Sequence, residues 1–407
     1  MKRILIFAIL LTCASSAQGF WIQTQLPATG SINSIAISPG GTLFVGTEFA
    51  AAGSGVFKST NDGLTWTLAN NGLTSSTIKV VAMGGSNGDL FAGSSSLFRS
   101  TNQGASWTDI GNSLSTPYVR AIDFDDSNYI YVGTEGGGVF KSTNNGSSFT
   151  FSGLSVFNVK ALHCDNFGFI YAGGGNLYRS SNRGGTWLVF NTGMQGTTVE
   201  EIVSNNIGYV YAGTYGNGVY RSTNSGLSWV PVNNGLTNQN VVSLAINALG
   251  YLYAGTYDGG VFCSKDQGEN WTEVSSGLNT TGIPALAFNP SGNIFAGSTD
   301  GKVFKSTGST TSLKEDEQQP SSFTLSQNYP NPFNPVTVIE YTLTETSEVV
   351  LKVFSVDGTK VATLREGVKA PGKHRILFDG NALSSGVYSY ALFAGKERLV
   401  KKFVLAK

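Results

Sequence analysis

The sequence predicts an all-β chain: a seven-bladed β-propeller whose last blade is closed by the N-terminal strand, followed by a small antiparallel β-sandwich. Three observations predict it. An eight-residue pattern recurs six times at a nearly constant spacing. Within each repeat, four short β-branched or aromatic runs alternate with Gly/Asn/Asp turns. The composition suits closely spaced strands, with 52 Gly in 407 residues, 12% aromatic and only 13% charged. Basic and acidic residues number 26 each, so the net charge is zero. That argues against a broad phosphate-contacting surface, and no nucleic acid is expected as partner. A hydrophobic fraction of 40% argues against a wholly disordered chain. The length suits two domains better than one.

Residues 1–19 are expected to be an export signal. Met1-Lys2-Arg3 is basic, Ile4 to Leu11 is apolar, and Ser15-Ser16-Ala17 or Ala17-Gln18-Gly19 offers small residues for cleavage. Cys13 is the one candidate for lipidation, and Thr12 is a poor residue in front of it. No later apolar run approaches the ~20 residues that span a bilayer, so no transmembrane segment is expected in the mature chain. Its two thiols, Cys164 and Cys263, fall on non-adjacent blades and are expected to be unbridged. No Cys/His cluster points to a metal, and no cofactor is expected.

The propeller is expected over residues 20–307. Six octets mark it: Ser59–Trp66, Ser100–Trp107, Ser142–Phe149, Ser180–Trp187, Ser222–Trp229 and Ser264–Trp271. A seventh begins at Ser306-Thr307-Gly308 and stops. Their first serines lie 41, 42, 38, 42, 42 and 42 residues apart, a period that means a propeller, a solenoid or an array. The third repeat shows the strands inside one period: Val119 to Phe124, Tyr129 to Thr134, Gly138 to Ser142 and Ser148 to Ser152. Four strands in about 42 residues make a propeller blade. In the first strands one alternating set is large (Ile35/Ile37, Ile122/Phe124, Leu162/Cys164, Leu244/Ile246) and the other is mostly small (Ser34/Ala36, Ala121, Ala161, Ser243/Ala245). Large against small is what stacked sheets require. The seventh repeat has strands at Ile283 to Phe288, Asn293 to Gly297 and Val303 to Ser306 but no fourth. Phe20-Trp-Ile-Gln-Thr24 is expected to supply it, with Trp21 in the place of Trp66 and Trp107, leaving no open edge.

The octet resembles the Asp-box, or BNR repeat, of sialidase-like, sortilin-type and photosystem-assembly-type propellers, Ser-x-Asp-x-Gly-x-Thr-Trp. Only Asp266 is aspartate at the third position; Asn61, Asn102, Asn144, Asn182 and Asn224 replace it. Both residue types bond their own backbone in turns. The resemblance implies a turn between third and fourth strands, away from any catalytic centre. The cation before each serine (Lys58, Arg99, Lys141, Arg179, Arg221 and Lys305, with Cys263 in its place once) is read as a long stem covering that turn.

After a polar linker at residues 308–322 a second module is expected at 323–407. Its strand-like runs are Val336–Leu343, Glu348–Phe354, Lys360–Leu364, His374–Phe378, Gly386–Phe393 and Leu399–Leu405, and alternating runs in about 85 residues fit a small sandwich. Prolines 330, 332 and 335 fix an extended approach to it. The module resembles the type A C-terminal sorting domain of the type IX secretion system. The residues that carry the resemblance are Asn328-Tyr-Pro-Asn-Pro-Phe-Asn-Pro335, Val353–Gly358, Ala370-Pro-Gly372, Ser385–Tyr390 and Lys401–Lys407. This implies an immunoglobulin-like sandwich, the type IX machinery at the outer membrane as partner, and a secreted or surface protein that travels via the periplasm. Export is expected to depend on Asn328, Pro330, Asn331, Pro332, Gly386, Tyr388, Lys401, Lys402 and Lys407.

Catalysis is weakly marked. A sialidase needs an arginine triad, yet of Arg99, Arg120, Arg179, Arg183 and Arg221 only Arg120 lies outside the repeat pattern. Xyloglucan-hydrolysing relatives use two facing propellers, and one is present. Three polar residues interrupt the first strands, Asp123, His163 and Glu201. A carboxylate beside an imidazole can orient a general base, but the sequence places no nucleophile beside them, and a hydrated pair in a wet channel is the plainer reading. The hairpins between second and third strands vary most, spanning 11 residues from Gly46 to Phe57 but 5 from Gly93 to Phe98 and from Gly173 to Tyr178. Loops on a rigid scaffold carry function. The expected binding face carries Phe49, Tyr118, Glu135, Phe157, Tyr215, Tyr257, Asp258 and Asp300, which suits an extracellular glycan or protein. The expectation is a recognition or adhesion protein; the alternative is a secreted glycan-cleaving enzyme.

Overall fold

The computed structural model describes residues 19–28, 30–48, 53–85, 87–116, 118–156, 158–196, 198–310, 323–355, 360–395 and 397–407. The expected export signal and most of the linker lie outside these residues. The chain divides into two compact units between Ser312 and Leu313.

The first unit holds seven four-stranded antiparallel sheets. Six are meanders in chain order; the third runs Val119–Phe124, Ile130–Thr134, Gly138–Ser142 and Thr150–Phe151. The seventh is formed by Ala285–Phe288, Ile294–Gly297 and Val303–Ser306 and is completed by Trp21–Gln23, with Trp21 opposite Ser306. First strands stand side by side, and Ile32–Ile37 neighbours both Val80–Gly84 and Ala285–Phe288, so the ring of blades closes. Counting from Ile32, they are blades one to seven.

Second strands are buried, as at Leu43–Thr47 and Ile130–Thr134, except for Tyr215 at the end of the fifth. A glycine in each lets the next blade approach: a Cβ on Gly133 would stand 2.6 Å from Cγ1 of Val159. The fourth strand is shorter than expected. In blade three it is Thr150–Phe151, because the Ser148 amide donates to Asn144 Oδ1 and holds that residue in the preceding turn.

Blade five shows how the octet builds its turn. Ser222 Oγ accepts the amides of Gly226 (2.7 Å) and Asn224 (3.3 Å) and donates to Asn224 Oδ1 (2.9 Å). Asn224 Oδ1 also accepts the Ser228 amide at 2.9 Å. Ser225 and Gly226 both take positive φ, 56° and 84°, so the left-handed conformation extends over two residues. Asp266 makes the same contacts, with the Asn270 amide at 2.9 Å, which is why Asn and Asp alternate here without consequence. The octet also joins blades. Trp229 Nε1 donates to the Phe190 carbonyl of blade four at 2.9 Å, and Trp271 and Trp107 repeat the contact at 2.7 Å. Preceding cations reach the next blade's turn, Lys58 to the Gln103 carbonyl, Lys141 to Arg183 and Arg221 to Gln267, whereas Arg99 pairs with Asp89 of its own blade. They lie over aromatic rings on the way, Arg179 over Phe169 and Phe190.

The second unit is a sandwich. Phe323–Leu325, Val336–Leu343 and Gly372–Asp379 form one sheet; Lys360–Lys369, Ser347–Ser355, Gly386–Ala394 and Glu397–Leu405 form the other. Phe378 of the first meets Phe403 of the second with ring centroids 5.4 Å apart. The Pro-rich segment is bound to the far end of the unit's sequence. Phe333 is buried 5.0 Å from Phe403, donates its amide to Val404 and accepts that of Ala406.

Candidate functional site

A meander places its turns alternately at two ends. The octet turns and the hairpins between first and second strands lie at one end; the other end carries the hairpins between second and third strands and the connections between blades. This second end is the loop face.

Of the residues expected there, Phe49 and Phe157 lie outside the described residues. Tyr118, Tyr215 and Tyr257 are 60%, 47% and 55% exposed. Tyr215 and Tyr257, on adjacent blades, meet edge to face with centroids 6.0 Å apart. Beside them Asp258 accepts from the Asn238 amide. Glu135 faces Arg120 at 3.6 Å. Asp300 is engaged within its own hairpin, with Lys302 Nζ at 2.7 Å and Ser298 Oγ at 2.6 Å. Burial works to raise its pKa, but these two partners outweigh it and hold the carboxyl below the usual range.

The sequence shows no sign of how the inner strands begin. In blades one, three, four, five and six, pairing slips by one residue near the start, as between Val119 and Ala121. The extra residue turns to the mouth of the central channel. These residues are Asn33, Arg120, Lys160, Glu200 and Val242; Lys79 and Pro284 hold the same place in blades two and seven. All seven line a cavity of about 220 Å³ at the loop-face mouth. In five of the seven blades a polar residue just ahead of the alternating run was the only trace in the sequence.

Deeper in the channel the three interrupting residues take defined partners. Asp123 accepts the amides of Cys164 (2.7 Å) and Phe124 (2.8 Å). His163 Nδ1 lies 3.7 Å from Asp123 Oδ2, and His163 Nε2 lies 2.7 Å from Ser204 Oγ. The sequence placed no hydroxyl beside this pair; the structure places that of Ser204 there. Ser204 belongs to the next blade, and the packing of that blade's first strand against this one brings it to His163. Burial pushes the Asp123 carboxyl up to about 6, the His163 imidazole down to about 4 and the Glu201 carboxyl up to about 8. His163 and Asp123 keep 20% and 30% of their side-chain surface open, so channel water tempers all three shifts. At neutral pH these directions leave His163 uncharged and Glu201 protonated. Among the described residues no group of three or more His, Cys, Asp or Glu could hold a metal. Cys164 and Cys263 are free thiols.

In the second unit the expected sorting residues are mostly structural. Asn328 is buried, its amide donating to the Pro330 carbonyl and to Thr337 Oγ1. Asn331 accepts the Val404 amide at 2.8 Å, and Pro332 adjoins Phe333. Gly386 pairs with Leu405, and Tyr388 donates to the Ser384 carbonyl. Lys407 Nζ donates to the Asn381 carbonyl at 2.6 Å. Lys401 is half-buried in the last strand, and the side chain of Lys402 lies outside the described part. Tyr329, by contrast, is 82% exposed.

Residues 327–406 match the secretion system C-terminal sorting domain family. Residues 191–351 match the DUF6242 beta propeller domain family, a match that begins at the end of blade four and runs on into the second unit. Comparison with curated proteins finds no match. Among solved structures the chain resembles PorZ, a surface component of the type IX secretion system of Porphyromonas gingivalis. Identity is 17% over 94% of this chain and 60% of that one, with a TM-score of 0.55. The chain thus spans about 60% of the length of PorZ. It also resembles YCF48 bound to D1 peptide (16% identity, 71% and 97% of the two chains, TM-score 0.58). A third similar structure is virginiamycin B lyase from Staphylococcus aureus (13% identity, 70% and 98%, TM-score 0.59). At such identities the likeness establishes fold alone. No helix among the described residues is long and apolar enough to cross a membrane. The chain is a β-propeller protein carrying a secretion system C-terminal sorting domain, which indicates delivery to the outer cell surface.

Proposed function

We propose that the propeller is a recognition or adhesion module, delivered outside by residues 323–407 behind a linker at 308–322, with residues 1–19 as export signal. Its loop face binds an extracellular glycan or protein. The observation that carries this reading is the pair Tyr215 and Tyr257: two large, half-exposed rings from adjacent blades, packed edge to face beside Asp258 and Asn238. Rigid aromatics with neighbouring hydrogen-bonding groups are what sugar and protein contacts use. A glycan array and a pulldown with the purified chain test it. The Tyr215→Ser/Tyr257→Ser variant is expected to lose the captured ligand with its melting temperature unchanged; unchanged capture would remove the face from consideration.

A hydrolase is the second reading, favoured by His163 standing between Asp123 and Ser204. It requires turnover of a reporter glycoside or polysaccharide that disappears in His163→Ala with the fold intact.

A further inference from the structure

The cavity at the loop-face mouth is unusual in how its charges cancel. Lys79 Nζ lies 2.7 Å from Glu48, Lys160 Nζ 2.5 Å from Glu200, and Arg120 Nε 3.6 Å from Glu135. Three cations thus face three carboxylates. Burial favours a neutral Glu48, but the hydrogen bond and charge of Lys79, the Asn33 amide and the charge of Arg120 outweigh it, so Glu48 is ionised and within the field of Arg120. Burial disfavours a charge on Glu201, which lines the cavity beside Glu200. An incoming anion would meet little net positive field and two neighbouring carboxylates. A hydroxyl-rich neutral molecule meets the reverse: donors and acceptors alternating around one small opening.

Arg120 is the distinctive member. Its guanidinium has five N–H donors, lines the cavity, and has the long contact to Glu135 as its ion pair. No hydrogen bond from it is found among the described residues. Two adjacent sugar hydroxyls can accept from its paired N–H groups and donate to the flanking carboxylates. Tyr118, two residues earlier on the loop face, is largely exposed and is large enough to stack on a pyranose.

We propose that this mouth binds the terminal ring of an uncharged oligosaccharide, with Arg120 as the main hydrogen-bond donor and Tyr118 as the stacking wall. The proposal deepens the recognition reading and rests on it. Binding through paired charges should depend little on ionic strength, whereas anion capture would weaken steeply with salt.

The experiment is calorimetric titration of the purified chain with cellohexaose, xylohexaose, mannohexaose and, as the charged comparator, oligogalacturonate. At least one neutral oligosaccharide should bind. Its affinity should change less than about twofold between about 0.05 and about 0.5 M NaCl. Arg120→Gln should weaken it by about tenfold to a hundredfold. Should Arg120→Gln lower the melting temperature, Tyr118→Ala, at an exposed position, carries the test and should cost about tenfold. Binding of oligogalacturonate alone, falling with salt, would overturn the proposal, as would binding of none of the four. Neutral-sugar binding that survives Arg120→Gln and Tyr118→Ala but is lost in Tyr215→Ser/Tyr257→Ser would overturn it too, while leaving the recognition reading standing.

Discussion

At the scale of single residues, the channel departs most from what a repeat would dictate. Asp123, His163 and Glu201 occupy positions that other blades fill with small or apolar side chains, and the cost shows in their protonation. Glu201 goes from an ordinary 4.5 to about 8, and Asp123 from 3.8 to about 6, because burial disfavours the charge. The folded chain holds these protons more tightly than the unfolded chain, so their contribution to stability is full at low pH and is lost as pH rises through the folded values. His163, lowered from 6.5 to about 4 by burial, acts oppositely: its contribution is full above its unfolded value and is lost as pH falls through the folded one. Between pH 6 and 8.5 Glu201 is therefore the group that matters. Its charging should cost about 2 kcal/mol, a figure reduced from the full shift because channel water reaches these groups. The melting temperature should fall across that window in the natural chain and stay nearly level in Glu201→Gln. An equal fall in the variant would assign the loss to another group. The sequence exposed these three residues as exceptions to a period; it could not show Ser204 beside His163, because that contact crosses from one blade to the next.

Among elements, the closing strand has the largest structural consequence. Trp21 is 2% exposed, its indole N–H donates to the Val274 carbonyl at 2.7 Å, and its backbone pairs with Ser306. It thus repeats the contact that Trp229 and Trp271 make within the chain, but across the seam between the ends of the ring. Trp21→Ala should lower stability by about 3–5 kcal/mol, the usual cost of removing a large buried ring. Deleting residues 20–26 should lower it further by baring an edge. A denaturant melt decides this, and an unchanged midpoint for the deletion would mean that blade seven is complete without the strand. This element was legible because Trp21 stands in the same local pattern as Trp66 and Trp107. The one-residue slips at the start of the inner strands were not, since a bulge is a relation between two strands and leaves at most a polar residue as its trace. The cations before the octets were legible as covers for a turn, yet their hold on the neighbouring blade is a contact between blades that the repeat pattern alone does not show.

For the whole molecule, sequence and structure divide the labour along the chain. Period and strand pattern were enough to specify the propeller, since every blade repeats one local solution. The contacts of the loop face were not specified, because they join residues of different blades. In the sorting module, motifs far apart in sequence prove to be one construction: Asn331 and Phe333 bind the strand that ends at Leu405, and Asn328 ties its segment to Thr337 and Tyr390. Substitutions there act through folding of the module, whereas exposed Tyr329 can be changed without disturbing it. This separation yields the prediction about destination. The propeller closes on its own N-terminal strand, so removing Phe323–Lys407 should leave its melting temperature unchanged. The truncated chain should still cross the inner membrane on residues 1–19 and then accumulate in the periplasm, having lost the segment that the outer-membrane machinery reads. Conversely, residues 308–407 placed behind an export signal and a fluorescent reporter should carry the reporter outside in cells that possess the type IX machinery. Cell fractionation with protease accessibility distinguishes the compartments. A truncated propeller found outside in normal amounts, with an intact periplasmic marker, would show that the address lies in the propeller itself and that the sandwich serves another purpose.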